Sequence, residues 1–187
     1  MKDFLTFLTK IDQILFDFLH PLGHPFLDEL MWILSDKWTQ IPLYILIFWS
    51  LWKKFKLEIF GVIVGISLTL ILADQTCTKI KKTTERLRPS HQFENLNIVK
   101  NYKGGTYGFP SSHAANTVVL VSWLFFLGYR NLFLILMILW SFWVSYSRIY
   151  LGVHFPFDVL TGWCIGFFYS ILTYLIYKKT IFWIKKI

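Results

Sequence analysis

The chain has 187 residues, of which 55% are hydrophobic, 20% aromatic and only 16% charged. Soluble domains carry roughly 25% charged residues, so this composition excludes an ordinary soluble protein and indicates a multi-pass membrane protein. The net charge of +8 does not indicate nucleic-acid binding, because the basic residues stand in short clusters beside apolar segments, as at membrane surfaces. The length suits one domain of several helices, residues 1–187.

The first twenty residues predict an amphipathic helix. Phe, Leu and Ile fill most of it, whereas its polar residues recur at three- and four-residue steps and form one stripe: Asp3, Thr6, Lys10, Gln13, Asp17 and His20. Such a helix lies in the membrane interface rather than crossing the bilayer. The segment "HPLGHP" ends it, since two prolines and a glycine do not continue a helix. Residues 26–36 then predict a second short surface helix or an incomplete span.

Five apolar segments follow that are long enough, or nearly so, to cross a hydrocarbon core of about 30 Å at roughly 1.5 Å per helical residue. They are 38–53, 57–77, 112–127, 131–150 and 156–177. We therefore predict an all-α integral membrane helical bundle with five to six transmembrane helices. The polar segment 78–111 predicts a long loop, and a loop of that length in a compact protein is usually functional.

Threading the five spans through a bilayer places the long loop and the three polar motifs described next on one membrane face. The opposite face holds compact basic clusters: Lys53, Lys54, Lys56, Arg130, Lys178, Lys179, Lys185 and Lys186. Clusters of this kind mark the cytoplasmic side. The face that carries the motifs is thus predicted to be periplasmic or extracellular.

The three motifs are "KTTERLRP" (82–89) with a lysine just before it, "PSSH" (110–113) and "SRIYLGVHFPFD" (147–158). Ionisable residues at a membrane edge are costly, and their default interpretation is functional. From these motifs we take as candidate site residues three cations (Lys81, Arg88 and Arg148), two histidines, two serines at a helix start and one aspartate.

This set of residues suits a phosphoryl group. A helix that begins near Ser111 presents unpaired N–H groups and a positive dipole end to an anion. Lys81, Arg88 and Arg148 add full positive charge, and an arginine side chain can donate two parallel hydrogen bonds to phosphate oxygens. Because protein cations stabilise the charge and Asp158 is the only carboxylate of the predicted site, no metal is expected and a dinuclear metal mechanism is disfavoured.

The two histidines divide the predicted chemistry. His154 lies four residues before Asp158, so both fall on one side of a helical turn. A carboxylate that accepts one ring N–H fixes the tautomer and raises the nucleophilicity of the other nitrogen. His113, on a different helix, is free to protonate the leaving oxygen. The expected course is attack by His154 on phosphorus, a phosphohistidine intermediate, and hydrolysis by water that His113 activates.

The spaced pattern Lys81-x6-Arg88-Pro89, Pro110-Ser111-Ser112-His113 and Ser147-Arg148-x5-His154-x3-Asp158 resembles the type 2 phosphatidic acid phosphatase (PAP2) superfamily. The signature of that family is K-x6-RP, PSGH and SR-x5-H-x3-D, and all three parts occur here in order. Ser112 stands where the family most often has glycine, and a serine keeps the backbone N–H that binds phosphate. The resemblance implies that His154 is the nucleophile, Asp158 its support and His113 the general acid. It also implies a set of phosphate-binding residues: Lys81, Arg88, Ser111, Ser112 and Arg148.

The resemblance further implies a membrane-embedded helical core and a reaction without metal or cofactor on lipid phosphates or diphosphates. The substrates that fit are undecaprenyl diphosphate, the phosphates of lipid A, phosphatidylglycerophosphate and phosphatidic acid, and we favour the first two. The small chain suits a bacterial enzyme of envelope lipid metabolism, multi-pass in the inner (cytoplasmic) membrane. The sequence does not indicate an oligomeric state.

The same residues also have simpler interpretations. A serine pair before a helix is ordinarily an N-cap, and a cap that binds phosphate is still a cap. The other loop cations are interpreted as solvated or in contact with lipid headgroups: Lys79, Lys82, Arg86, Lys100 and Lys103. The alternative function is a non-catalytic membrane protein that binds or transports anionic lipids, which is disfavoured because binding alone does not require Asp158 behind His154.

Overall fold

The computed structural model describes residues 2–20, 23–94, 96, 98–184 and 186. These residues form eight α-helices: α1 (Lys2–Leu19), α2 (Pro25–Ser35), α3 (Ile41–Phe55), α4 (Ile59–Thr84), α5 (Pro89–Gln92), α6 (Ser112–Phe126), α7 (Leu132–Tyr150) and α8 (Pro156–Ile184). A 3₁₀ turn, Lys56–Glu58, joins α3 to α4, and a second, Val99–Asn101, lies in the segment before α6. The predicted all-helical fold is confirmed for the described residues.

Three helical stretches of the described chain are long and apolar enough to cross a membrane: Ile41–Thr84, Leu132–Tyr150 and Pro156–Trp183. The first contains both α3 and α4, and the apolar helix α6 is shorter than the other candidates. Large apolar side chains on these helices face outward, among them Phe60 at 75% exposure. An apolar outer surface of this kind fits a hydrocarbon environment. The exact number of spans stays a prediction.

The polar segment 78–111 is not a loop over its whole length, which corrects the prediction. Helix α4 continues to Thr84, well past the predicted end at residue 77, and Lys81 lies on its last turn. Lysine and threonine tolerate a helix, so the end of an apolar run marks the hydrocarbon boundary and not the end of the helix. Glu85, in the left-handed conformation with φ 47°, terminates α4 as C-terminal residues commonly do.

Helices α6 and α8 pack closely because their facing residues are small. Gly162 and Gly166 of α8 lie against the backbone carbonyls of Ser111 and Ala115, and a Cβ atom at either glycine would overlap those oxygens. Small residues let helix backbones approach in this way in membrane proteins. At the top of the contact the Ser111 N–H donates to the Asp158 carbonyl oxygen at 2.8 Å. The starts of the two helices that carry the motifs are thereby fixed side by side.

A buried polar cluster ties α4 to the same pair of helices. The Trp123 indole N–H donates to Thr69 Oγ1 at 2.9 Å, and Thr69 Oγ1 lies 2.6 Å from Thr173 Oγ1. Gly65 makes room for the indole ring. All three polar side chains are buried, and each has a partner, as buried polar groups require. Helices α4, α6 and α8 therefore form the core on which the site is built.

The N-terminal helices pack on the outside of this core. Helix α1 lies against α7 and α8, and α2 lies against α7, where the Tyr150 hydroxyl donates to Asp28 Oδ1 at 2.7 Å. The fully buried residues of α1 include Phe16 and, unexpectedly for an interfacial helix, Asp12. The predicted amphipathic, interfacial placement of α1 stays a prediction.

We predict that Gly162→Ala lowers the free energy of unfolding by about 1–3 kcal/mol, the usual cost of overpacking. The added methyl group forces α8 away from the Ser111 carbonyl. The matched control is Gly61→Ala in α4, where a Cβ meets Tyr177 at 3.4 Å, an ordinary contact. Thermal unfolding of the purified proteins in detergent checks both. A Gly162→Ala protein as stable as the control would contradict the close-packing account.

Candidate active site

The start of α6 is built as an N-cap. Ser111 is buried, has extended backbone dihedrals, and its hydroxyl accepts the Ala114 N–H at 3.5 Å. The next residue, Ser112, accepts a hydrogen bond from the Lys81 ammonium at 2.6 Å. The first two motifs are therefore in direct contact, and the lysine charge stands at the positive end of the α6 dipole.

Arg88 is held in a fixed position between the loop and the turn before α8. Its Nε–H donates to the Tyr107 carbonyl at 3.2 Å and one terminal nitrogen donates to the Val153 carbonyl at 3.3 Å. Gly104, with φ +67°, leaves no space for a side chain beside the guanidinium, since a Cβ there would lie 2.8 Å from it. Burial, reinforced by the charge of Arg148, lowers the pKa of Arg88 to about 10, so it is still charged at neutral pH.

Arg148 is buried at the C-terminal end of α7. One terminal nitrogen donates to the Ser35 hydroxyl and the other to the Tyr102 hydroxyl at 3.4 Å. Its Nε is buried and has no partner among the described residues. A buried donor without a partner is energetically costly, so this nitrogen suits an incoming anion. The Arg148 carbonyl also accepts the His154 N–H at 3.1 Å, which links this cation to the histidine motif.

His154 and Asp158 form the pair that their spacing predicts. His154 Nδ1 lies 3.3 Å from Asp158 Oδ2, and the same oxygen accepts the Phe155 N–H at 2.9 Å. Both side chains are buried. Burial, followed by the positive charges of Arg88 and Arg148, holds the pKa of His154 well below its usual value. The imidazole is thus uncharged at neutral pH and keeps a free lone pair.

The interpretation of Arg86 as a solvated or headgroup-binding cation is wrong. Its guanidinium donates to Asp158 Oδ1 at 2.8 Å and to Asp12 Oδ2 at 2.6 Å, and it stacks on the Phe155 ring at 4.3 Å. Asp12 lies 74 residues earlier in the chain, and its other oxygen accepts the Phe157 N–H at 2.8 Å. Local spacing did not reveal these contacts.

The sequence predicted Asp158 as the only carboxylate of the site, and this prediction is wrong. Asp12 joins it through Arg86, and the sequence did carry one signal of this. Asp12 falls off the polar stripe of α1, on the side that packs against the core. Its burial raises its pKa, an effect that the hydrogen bond from Arg86 opposes.

A cavity of about 300 Å³ opens beside the site. Half-buried His113, on the first turn of α6, forms one wall of it. The other walls come from the end of α2, the turn after it and the loop before α6: Trp32, Ser35, Asp36, Lys37 and Tyr102. Two of these residues, Ser35 and Tyr102, are the partners of Arg148.

The predicted site residues are therefore brought together from four helix ends and one loop. Direct contacts join Lys81 to Ser112, Ser111 to Asp158, and Asp158 to His154. Arg88 contacts the turn just before His154, and Arg148 supports that histidine through its backbone. His113 faces the adjoining cavity. This arrangement is able to bind a phosphoryl group and to attack it.

Comparisons with known proteins agree with this geometry. The model of the PAP2 superfamily matches residues 59–182. A lipid A 4'-phosphatase of Bacteroides thetaiotaomicron is 37% identical over 182 residues, which cover 94% of this chain and 80% of the relative. A lipid A 4'-phosphatase of Porphyromonas gingivalis is 31% identical over 183 residues, which cover 92% and 75%.

A solved structure is also similar. The crystal structure of Aquifex aeolicus LpxE superimposes with a TM-score of 0.70 and 25% sequence identity, covering 86% of this chain and 93% of that one. The match of the family model extends over most of the chain and includes all three motifs. The chain belongs to the PAP2 superfamily.

Proposed function

We propose that this protein is a membrane phosphatase that removes phosphate from lipid headgroups through a phosphohistidine intermediate and without a metal. The observation that carries the proposal is the junction between a cationic phosphate cradle and a buried, neutral His154 that is backed by Asp158. The phosphate cradle consists of Lys81, Arg88, Arg148 and the start of α6 at Ser111 and Ser112. The similarity to lipid A 4'-phosphatases from two bacteria supports the same class of substrate.

Phosphate binding follows from the N-terminus of α6 and the cations around it. The N–H groups of Ser112 and His113 on the first turn of α6, together with the Lys81 ammonium, bind the anion from one side. Arg88 and the unpartnered Nε of Arg148 bind it from the other. Positive groups fixed in advance in a site shielded from water stabilise the charge that develops on the phosphoryl oxygens.

His154 then attacks phosphorus with its Nε2 atom while Asp158 accepts the Nδ1–H. The N–P bond forms as the bond from phosphorus to the lipid oxygen breaks, and His113, protonated beside the bound phosphate anion, gives that oxygen its proton. In the second step His113 takes a proton from water, the water oxygen bonds to phosphorus, and the N–P bond breaks. Inorganic phosphate leaves and His154 is restored.

Arg86 and Asp12 affect this chemistry indirectly, through Asp158. Arg86 holds one oxygen of Asp158, so that the other oxygen is directed at His154, and Asp12 holds Arg86. Neither residue is placed to touch the phosphate. We therefore assign them as positioning residues, with Asp12 supplied by the N-terminal helix.

Lipid A bearing a 4'-phosphate is the substrate that the relatives favour, with undecaprenyl diphosphate, phosphatidylglycerophosphate and phosphatidic acid as the alternatives. We place the protein, as one domain of residues 1–187 with five to six spans, in the bacterial inner membrane. The basic clusters at Lys53–Lys56 and Lys178–Lys186 support a cytoplasmic position for the face opposite the site, so that the site faces the periplasm or the cell exterior.

We predict that His154→Ala lowers phosphate release by at least about a thousandfold, because the covalent route is removed. The assay measures inorganic phosphate from a panel of lipid phosphates, with purified protein in detergent and EDTA present. The control is His24→Ala, at an exposed position. Loss of the wild-type activity on adding EDTA would contradict the metal-free mechanism. Headgroup binding without any phosphate release by the wild type would favour the lipid-binding alternative.

We predict that Asp12→Asn and Arg86→Gln each lower kcat about tenfold or more while KM changes little, since both act on the orientation of the imidazole through its carboxylate. Asp17→Asn, an exposed position on the same helix, is the matched control. Arg86→Lys, which keeps a positive charge beside Asp158, should recover part of the loss. A rise in KM with unchanged kcat would instead show that Arg86 binds the headgroup.

We predict that kcat/KM persists as the pH falls below about 6.5, the usual pKa of imidazole, since the lowered pKa of His154 keeps it unprotonated there. Arg88→Gln removes one positive charge that lowers this pKa, so the acidic limb of the profile should move to higher pH. Comparing the two proteins on one substrate cancels the ionisation of the substrate itself. A limb that stays in place or moves to lower pH would contradict the assignment of that limb to His154.

A further inference from the structure

We propose that the cavity of about 300 Å³ beside His113 binds a sugar ring that carries the phosphate to be removed. This inference rests on the proposed function and adds the chemical class of the group to which the phosphate is attached. Among the described residues, the lining of this cavity includes none of the cradle residues, and the cavity adjoins the cradle through Ser35 and Tyr102, the partners of Arg148.

The position of the cavity fixes what its occupant must be. The Ser35 and Tyr102 hydroxyls line it and also accept hydrogen bonds from Arg148, a cation of the cradle. His113, which protonates the leaving oxygen, forms another wall. A group in this cavity therefore lies next to the phosphate and carries that oxygen. The occupant is the leaving alcohol of the substrate.

The lining of the cavity suits a pyranose ring. Trp32 and Tyr102 meet at an interplanar angle of 82° with their ring centroids 5.3 Å apart, and such aromatic surfaces pack against the C–H faces of a sugar. Asp36, Lys37 and the Ser35 hydroxyl supply acceptors and donors for the hydroxyl and amide groups of the ring. The wall is braced from outside, because the Lys100 ammonium lies 5.3 Å from the Trp32 ring centre and pairs with Glu29 at 2.8 Å.

A prenyl chain is a poorer occupant. It would cover the Asp36 carboxylate and the Lys37 ammonium without pairing them, and desolvating unpaired polar groups is costly. A different cavity, of about 230 Å³ between α3 and α4, is lined mainly by apolar side chains such as Ile47, Leu51 and Leu70. Hydrocarbon chains thus have better places on this molecule than the cavity beside His113.

The volume of the cavity sets a limit as well. Small-molecule sites extend from about 300 to 1,000 Å³, so this one stands at the lower end and accommodates one ring rather than two. A disaccharide headgroup would place its phosphorylated ring in the cavity and leave the second ring outside. Recognition then depends on the ring that bears the reacting phosphate.

The test compares two substrates in the full-length protein in detergent: lipid A with a 4'-phosphate, and phosphatidic acid, which has no sugar. The measured quantity is the ratio of their kcat/KM values, which does not depend on the fraction of active enzyme. Trp32→Leu and Asp36→Asn should each lower the ratio of lipid A to phosphatidic acid about tenfold, the lower end of what one pocket contact contributes to discrimination. Trp38→Leu, an exposed tryptophan outside the cavity, should leave the ratio at the wild-type value.

An unchanged ratio in Trp32→Leu and Asp36→Asn would overturn the sugar site, and so would equal losses on both substrates. A wild-type protein that hydrolyses phosphatidic acid but not lipid A would overturn the sugar site and leave the phosphatase assignment intact. A wild-type protein that hydrolyses neither these lipids nor any other lipid phosphate of the panel would contradict the proposed function itself.

Discussion

The rest of the site depends on the close contact between the starts of α6 and α8. Gly162 and Gly166 remove the side chains that would hold the two backbones apart, and the Ser111 N–H then bonds directly to the Asp158 carbonyl. One helix start supplies a positive dipole end and the other supplies the histidine–aspartate pair. Neither helix start contains, by itself, all the groups that phosphate chemistry requires. Their relative position is fixed by backbone atoms, which no change of rotamer relaxes.

A second constraint is the concentration of positive charge in a shielded space. Burial, followed by the positive charges of Arg88, Arg148 and Lys81, holds the pKa of His154 low. On the proposed assignments, the same charges favour a phosphoryl group, so one arrangement attracts the substrate and helps to keep the nucleophile unprotonated. Arg86 differs from the other cations, because its charge is neutralised by Asp12 and Asp158. It shapes the geometry of the carboxylate without adding to the cradle.

Much of this was predictable from the sequence, for physical reasons. The spacing of four residues predicted the His154–Asp158 pair, but the helical geometry assumed for it is not the one observed. His154 lies just before α8, which begins at Pro156, and Asp158 on the first turn reaches back to the Phe155 N–H and to the imidazole. "PSSH" predicted the cap, since serine before an apolar run is a local signal. The length of α4 was underestimated, because hydropathy reports the thickness of the hydrocarbon and Lys81 lies beyond it. Arg86 was misassigned because its two partners are distant in the chain, and a single sequence contains no record of such contacts.

Residues before α4 contain none of the signature motifs, yet several of them contact the site residues. Asp12 reaches Asp158 through Arg86, Ser35 accepts a hydrogen bond from Arg148, and Trp32 lines the cavity beside His113. The three signature motifs all follow residue 58. Two chains with identical signatures and different N-terminal segments would therefore share a reaction but differ in its rate and in the headgroup that they prefer. On the proposed assignments, the motifs after residue 58 set which bond is broken and Asp12 supports that chemistry, whereas the end of α2 and the turn after it are where a new headgroup preference is able to arise.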